Sequence, residues 1–434
     1  MLINKKYLFK IFMFFIFPIL SYGNNITLDE MLNMIDIKNY DREIYDLEKE
    51  KNISKEKFYN LDLYNGIKSE ADIKYDYDKD KYDTTGKLIY GDFYVNVSKN
   101  KISKEIDDGD SEIIYGINKN LKNMVYSKSD SELKKLKYTK LKDKFSYLDE
   151  LENKKIDLIN LYEEYKNNEF ETKLKSNNLS KLKAEEKILK KSYELGAIPK
   201  IDLQTLQVSR ENLEIELKIL DRNLKKIKDR FLYEFNIDIS NKILADIQIK
   251  QIDISKYISN IGERKLQSLD LDRKITEENI NYLSYSNKVP DISLGVERKK
   301  ETHNNTNSEN RVFLKFSKDL FYYDVNLENE KITLAQQNIN HKKESEKNIS
   351  MQLKIQENYN NFYRNYIINK NKANLENNKY EIMKKKYTLG NITYVEVMDV
   401  FEDYLKFEVE AEKAKNLFNG YIYEIMIRGE KNHE

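Results

Sequence analysis

Apolar residues recur at spacings of three and four along most of the chain, the pattern of amphipathic helices that bury one face. In the two segments that follow Gly196 and Gly390, the main apolar positions are separated by seven, four, three, four, three and four residues. This spacing averages about 3.5 residues, which is the seam of a left-handed coiled coil. The pattern therefore predicts long helices that pack against other helices.

The same pattern occurs twice, at an offset of 194 residues from Tyr193 to Tyr387. Both copies begin with Tyr-x-Leu-Gly-x-Ile and continue to an acidic residue, Asp202 or Glu396. Downstream, the offset pairs apolar residues with apolar residues: Leu206 with Val400, Leu213 with Phe407, Leu217 with Ala411, Leu220 with Ala414, Leu224 with Phe418, Ile227 with Tyr421 and Phe231 with Ile425. The chain therefore contains an internal two-fold repeat.

Each Tyr-x-Leu-Gly-x-Ile segment is predicted to be the tip of an antiparallel helical hairpin. Gly196 and Gly390 stand where a helix C-terminus favours positive φ, and Pro199 suits the first turn of the next helix. The helices that lead to the tips are expected from about residue 125 to 195 and from about 325 to 389, each roughly 100 Å long. A generic hairpin with glycine caps explains both glycines, but it does not explain the duplicated isoleucine and acidic positions.

Shorter stretches alternate between apolar and polar residues, as strands with two different faces do. The first half contains three of them, at 67–77, 88–98 and 112–118, and the second half contains two, at 292–296 and 312–316. A soluble sandwich produces the same alternation, but two small strand groups separated by helices are too few for one. If all helices lie on one side of a membrane, the chain must cross that membrane an even number of times. We therefore expect 67–77 and 112–118 to be the crossing segments of the first half. Segment 88–98 is then expected in an external loop, which leaves four strands per protomer.

Composition limits the partners and the anchor. With 75 Lys+Arg against 74 Asp+Glu the net charge is +1, so the chain offers no basic field for nucleic acid. Cysteine is absent, which excludes disulfides and a lipid-modified cysteine. Residues 1–23 combine a basic start, a short apolar run and Ser21-Tyr22-Gly23, which predicts a cleaved secretory signal peptide.

Residues that commonly perform catalysis are sparse. The three histidines, His303, His341 and His433, are scattered, and no metal-binding, phosphate-binding or nucleophile motif is present in the sequence. We therefore expect a chain that is not an enzyme and that takes no cofactor or metal.

The organisation that follows has four parts. Residues 1–23 are the signal peptide, 24–235 the first structural repeat, 236–261 a mixed equatorial insertion, and 262–434 the second structural repeat. Each repeat runs from helix through strands and a long helix to a tip and a returning helix.

This duplicated plan and its two tips resemble the TolC family of outer-membrane export channels over essentially the whole mature chain. The resemblance implies a mainly α fold with β, in which long antiparallel helical hairpins form an α-barrel tunnel. Four β-strands per protomer would contribute to a twelve-stranded outer-membrane barrel closed by three protomers. It also implies a passive exit duct of a tripartite efflux or type I secretion system, set in outer-membrane lipid and extending into the periplasm. Such a duct opens when a periplasmic adaptor and an inner-membrane transporter dock.

The resemblance also assigns roles to the tips. The residues that match the adaptor-facing segments of the family are Leu195, Gly196, Ile198, Ile201, Asp202, Leu389, Gly390, Ile392 and Val395. Glu396 and Asp399 resemble the acidic pair that narrows the closed aperture, although glutamate stands where aspartate is more familiar. The alternative for this pair is that both are solvated carboxylates favoured at a helix N-terminus.

Two other functions fit part of the sequence. A secreted or periplasmic coiled-coil scaffold or adhesin would explain the signal peptide and the heptads, but not the alternating strands. A periplasmic adaptor usually has one helical hairpin and Gly-rich and Val-rich domains, whereas this chain has two hairpins and 12 glycines. The sequence does not identify the cargo, the pump or the adaptor.

Overall fold

The computed structural model describes residues 25–37, 40–78, 81–102, 111–247, 253–301, 308–320 and 322–430. The described residues form two compact units, and each unit draws on both sequence repeats. The hairpin unit takes its residues from Met1–Tyr40, Asp149–Ile261 and Ile349–Glu434, and the sheet unit from Asp41–Leu148 and Gly262–Asn348. The predicted signal peptide, His303 and His433 lie outside the described residues.

The first sequence repeat contains strands β1 to β5 and helices α1 to α5. In chain order these elements are β1 (Asn25–Ile26), α1 (Leu28–Ile37), α2 (Tyr40–Leu61), a 3-10 turn (Asp62–Tyr64), β2 (Lys68–Asp76), β3 (Lys81–Tyr90), β4 (Phe93–Ile102), β5 (Ser111–Asn120), α3 (Leu121–Val125), α4 (Lys128–Glu194) and α5 (Lys200–Phe235).

The remaining elements belong to the insertion and the second repeat. They are β6 (Ile243–Leu244), α6 (Ser255–Ile258), α7 (Glu263–Lys288), β7 (Asp291–Glu301), β8 (Ser308–Ser317), α8 (Val325–Thr388) and α9 (Tyr394–Arg428). The 67-residue α4 and the 64-residue α8 confirm the long helices predicted between strands and tips. No helix in the described ranges has a stretch that is both long and apolar enough to cross a membrane.

The sheet unit contains one antiparallel sheet of six strands in the order β2-β3-β4-β5-β7-β8. The sheet thus has two strands more than the four expected per protomer. Segment 88–98 is not a single strand, because it holds the end of β3, a turn and the start of β4. The turn forms at Gly91, whose φ of 57° is readily adopted by glycine and costly for most other residues. Four strands in the first half, instead of three, give the even number that the connectivity requires.

The hairpin unit has two main apolar clusters. One cluster joins α1, the middle of α4, the end of α5 and the insertion, with Met31, Tyr162 and Phe231 fully buried. Within it β1 and β6 pair as a short parallel ladder, and the Tyr162 hydroxyl donates to the Ala245 carbonyl at 2.6 Å. The described part of the predicted insertion is thus held against α4 by both apolar packing and a hydrogen bond. The second cluster lies beneath the two tips.

Candidate functional site

Both tips close in the same way, as the sequence repeat predicts. Gly196 and Gly390 have φ of 71° and 74°. The Gly196 N–H donates to the Tyr193 carbonyl at 2.9 Å, and the Gly390 N–H donates to the Tyr387 carbonyl at 2.9 Å. The next N–H in each tip donates five residues back, at 2.8 Å and 3.0 Å. This paired arrangement is a Schellman motif, so the glycines end α4 and α8 through positive φ, which confirms the predicted hairpins.

The helices that leave the tips begin differently. Pro199 is the residue immediately before α5, and its side chain makes no capping hydrogen bond to the helix. Thr393 precedes α9 and forms a capping box with Glu396, whose Oε2 accepts from the Thr393 N–H at 2.8 Å. These hydrogen bonds from Thr393 hold the pKa of Glu396 below its usual value. Glu396 is therefore ionised over most of the pH range and is also a helix cap.

The predicted docking residues divide into an exposed group and a supporting group. Leu195 and Leu389 are 84% and 74% exposed, and Ile201 is 55% exposed. Ile198 and Ile392 instead pack against the cluster beneath the tips. Val395 is half-buried, and both tip glycines are exposed. Two large apolar side chains are thus presented to solvent at equivalent positions of the repeat, above a packed base.

Asp202 has a place that the sequence did not indicate. Asp202 is 3% exposed, and the backbone N–H of Tyr394 at the start of α9 is near enough to its carboxyl group to act on the pKa of that group. Its Oδ1 is buried without a hydrogen-bond partner, and burial raises the pKa of its carboxyl group. Asp202 therefore connects the first hairpin to the second, beneath the surface to which the resemblance assigned it.

A second connection between the hairpins involves residues that the sequence analysis missed. The Tyr394 hydroxyl donates to Glu185 Oε2 at 2.7 Å, and Lys384 Nζ lies 3.4 Å from Glu185 Oε1. Tyr394 is buried within the apolar cluster, with Leu206, Val397 and Phe401. The signal that would find this contact is the tyrosine at the first position of α9, where the first repeat has Lys200.

The proposed aperture residues lie on the exposed side of α9. Glu396 and Asp399 are three residues apart and both exposed, whereas the intervening Val397 and Met398 are buried in the tip cluster. Residues at this spacing share a helix face. The structure thus brings the two carboxylates together on the surface of the hairpin unit.

The six-stranded sheet has one apolar face and one charged face. Paired residues project from the same face, and one row across four strands consists of Phe93, Ile117, Val296 and Val312, all exposed. The opposite face carries ion pairs between charged side chains of neighbouring strands. One joins Lys299 of β7 to Glu112 of β5 at 3.2 Å, and within β7 Lys299 also pairs with Glu301 at 2.8 Å.

The charged face also carries a hydrogen bond that skips a strand. Tyr94 of β4 donates its hydroxyl proton to Glu297 Oε2 of β7 at 2.6 Å. Gly116 of β5 lies between them in the ladder, opposite both residues. A Cβ at Gly116 would overlap the Val296 carbonyl oxygen. The absence of a side chain at Gly116 thus leaves room for the hydrogen bond between Tyr94 and Glu297 to pass over β5.

No protein-family model and no curated protein sequence matches this chain. Solved structures do match it. CusC, known for conformational changes that accompany folding and transmembrane channel formation, has a TM-score of 0.68 at 10% identity, over 93% of this chain and 92% of CusC. The outer membrane protein VceC from Vibrio cholerae has a TM-score of 0.67 at 9% identity, over 94% and 97%. The Campylobacter jejuni CmeC outer membrane channel has a TM-score of 0.63 at 12% identity, over 94% and 87%.

At these identities the comparison establishes the fold. The chain has the fold of TolC-type outer-membrane channels, which confirms the fold class predicted from the duplicated tips and strands. The three matched proteins are channel or outer-membrane proteins, in agreement with the expectation of a non-enzymatic chain.

Proposed function

We propose that this chain is an outer-membrane channel that conducts cargo passively out of the periplasm. The observation that carries the proposal is the sheet, which exposes apolar rows on one face and ion pairs on the other. In water, an exposed apolar face of this extent is unfavourable, whereas in a bilayer it is covered by lipid. The charged face then lines a water-filled interior. The shared fold with known outer-membrane channels supports the same conclusion.

In this proposal three copies assemble around one axis, and the tips face the periplasm. A periplasmic adaptor docks on the exposed Leu195 and Leu389, and an inner-membrane transporter supplies the energy. Glu396 and Asp399 from three copies narrow the closed aperture, where their mutual repulsion favours cations. Exposure of both leucines at equivalent positions of the repeat supports a docking role, because neither is needed for the core beneath them.

The experiment that tests the channel is separation of inner and outer membranes, followed by detergent extraction and native mass measurement. We expect an oligomer of three copies in the outer-membrane fraction that leaves the membrane only with detergent. A monomer or dimer that is released by salt alone would contradict the channel. That result would favour the coiled-coil scaffold or adhesin.

A further inference from the structure

We propose that all six strands of each protomer cross the membrane, and that β2 of one copy pairs with β8 of the next copy. Three protomers of six strands then give a barrel of eighteen strands, instead of the twelve that the family resemblance implies. This inference rests on the proposed channel function. It concerns the width of the barrel and the surface through which copies join.

The β3–β4 hairpin has the dimensions of membrane-crossing strands. β3 and β4 have ten residues each, close to the nine to eleven that a tilted barrel strand needs. β3 pairs with β2 without interruption from Lys81 to Ile89, and with β4 along its whole length from Lys81 to Tyr90. The hairpin is therefore a continuous part of the sheet, flanked on both sides by strands that enter and leave helices.

The turn of this hairpin lies at the helix side of the sheet. The Tyr64 ring, which follows α2, fills the space beside Gly91, and its hydroxyl donates to Asp92 Oδ2 at 2.8 Å. Lys119, at the end of β5 before α3, lies 3.2 Å from Asp92. β2 begins after α2 and β5 ends before α3 at this same side. β3 and β4 therefore each extend from the helix side of the sheet to its opposite side, along the direction of the strands.

Both faces of the hairpin continue the faces of the other strands. Leu88 pairs with Val95 and Val95 with Tyr115, so the apolar face passes from β3 through β4 to β5. On the charged face, Tyr94 reaches Glu297 over Gly116. An external loop would leave Leu88 and Val95 in water, where they are 51% and 38% exposed. In a barrel, the face of the hairpin that carries Leu88 and Val95 would instead contact lipid, and the face that carries Tyr94 would contact water.

The two edge strands suit a second copy of this chain. Within the part of the chain that the structure describes, β2 and β8 end the sheet, and open edges of this length pair readily with another strand. Because six is even, β2 and β8 run in opposite directions, so the junction between copies is antiparallel like every other pair. β2 has two lysines against three carboxylates, and β8 has Arg311 and Lys315 against Glu309. The edges therefore carry opposite net charges.

An eighteen-stranded barrel has different dimensions from a twelve-stranded one. The diameter of a barrel grows roughly in proportion to its strand number, so the expected widening is about 1.5-fold. Barrels of this size hold an aqueous channel without a plug.

The decisive experiment is electron cryo-microscopy of the oligomer extracted from outer membranes, in which strands around the barrel are counted. Because the chain has no cysteine, disulfide trapping provides a second measurement in intact membranes. Val97→Cys with Ile113→Cys tests the β4–β5 pair within one copy. Ile73→Cys, combined in turn with Val312→Cys and Leu314→Cys, tests the β2–β8 junction, with each single variant as control.

We expect eighteen strands, an internal Val97–Ile113 cross-link, and covalent dimers and trimers from an Ile73 pair. Twelve strands, or failure of the Val97–Ile113 pair to cross-link in membranes, would overturn the six-strand assignment and leave the channel proposal standing. A protein that forms no outer-membrane ring would instead overturn the channel proposal itself. The two failures are therefore distinguishable.

Discussion

Burial makes the negative charge of some carboxyl groups in the hairpin unit energetically unfavourable. Glu163 of α4 lies against Gly420 of α9, so closely that a Cβ on Gly420 would overlap the glutamate carboxylate. Burial, with a smaller contribution from Glu424, raises the pKa of Glu163 to about 8. The folded chain then keeps a proton that the unfolded chain releases near pH 4.5. The free energy of unfolding therefore decreases as pH rises from about 4.5 to about 8.

Glu163→Gln is expected to remove this dependence, because the neutral amide has no charge to desolvate. At pH 8 we expect the variant to be more stable than the natural chain by about 2 kcal/mol, after allowance for partial solvent access. Below pH 4.5 the two should be equal. Thermal unfolding of the detergent-extracted protein at both pH values measures this. Glu164→Gln, at an exposed neighbour paired with Arg230 at 2.8 Å, is the control, and an equal gain there would contradict the assignment.

Asp202 permits a sharper test, since its charge and its acceptor oxygen can be removed separately. Asp202→Asn keeps an acceptor for the Tyr394 N–H and removes a desolvated charge, so we expect unchanged or higher thermal stability at pH 7. Asp202→Leu leaves no acceptor near that N–H, and we expect a loss of about 1–3 kcal/mol. Because the pKa of Asp202 is raised, the advantage of the asparagine should grow with pH above the usual aspartate range. Equal losses in both variants would show that an acceptor at this position is unimportant.

The difference between these residues and the tip glycines shows what a sequence reveals at this scale. Gly196 and Gly390 were predicted because a helix C-terminus is a local event, and the repeat supplied the same signal twice. Asp202 and Glu163 were not predicted as buried groups, because their burial depends on α9, which lies about two hundred residues further along the chain. Hydrophobic periodicity indicates which face is buried, but not what it meets.

At the scale of elements, the same limit explains the error in the strands. β5, β7 and β8 alternate cleanly, and the structure places strands there. In the run from 88 to 98 the alternation of apolar and polar residues continues across the turn, because only one apolar position of the pattern, that of Gly91, is missing. The first part of β3, Lys81 to Lys87, is polar and contains Thr84, Thr85 and Gly86, so it gave no alternating signal. Its pairing with β2 and β4 makes it a strand.

Gly116 is the element-scale position at which a single methyl group should disturb the sheet. Gly116→Ala places a Cβ against the Val296 carbonyl and beneath the Tyr94–Glu297 hydrogen bond. We expect the yield of assembled oligomer in the outer membrane to fall several-fold. Gly86→Ala on β3 is the matched control, because a Cβ there meets no atom within 4 Å. Equal yields from the two variants would contradict the described packing of β4, β5 and β7.

The tips are elements whose exposed side chains should matter for transport and not for folding. Leu195→Glu with Leu389→Glu is expected to abolish export, because a docking surface that buries leucine disfavours a charge. Oligomer yield and thermal stability should stay unchanged, since both leucines are mostly exposed. Drug and detergent sensitivity provides the measurement, in cells in which deletion of the natural chain raises that sensitivity. Tyr233→Glu, equally exposed at the far end of α5, is the control. Normal resistance in the double leucine variant would contradict tip docking.

At the scale of the whole molecule, the charge balance has a consequence for conduction. The chain is nearly neutral overall, so any ion preference has to arise where carboxylates are concentrated and not from net charge. Three-fold assembly would bring three copies of Glu396 and Asp399 around one axis. Asp399 is the better residue to change, because Glu396 also caps α9 and its loss would disturb the helix.

Asp399→Asn is therefore expected to lower the cation-to-anion permeability ratio of single channels in planar bilayers, with little change in oligomer stability. The loss of three carboxylates from the proposed aperture should weaken the attraction for cations there, and it should also weaken block by divalent cations. Asp403→Asn, an exposed change about one turn further along α9, is the control that removes the same charge away from the aperture. If both variants lower the ratio equally, α9 contributes a diffuse field and no acidic ring. If neither does, Glu396 and Asp399 are solvated carboxylates at a helix start, as the alternative holds.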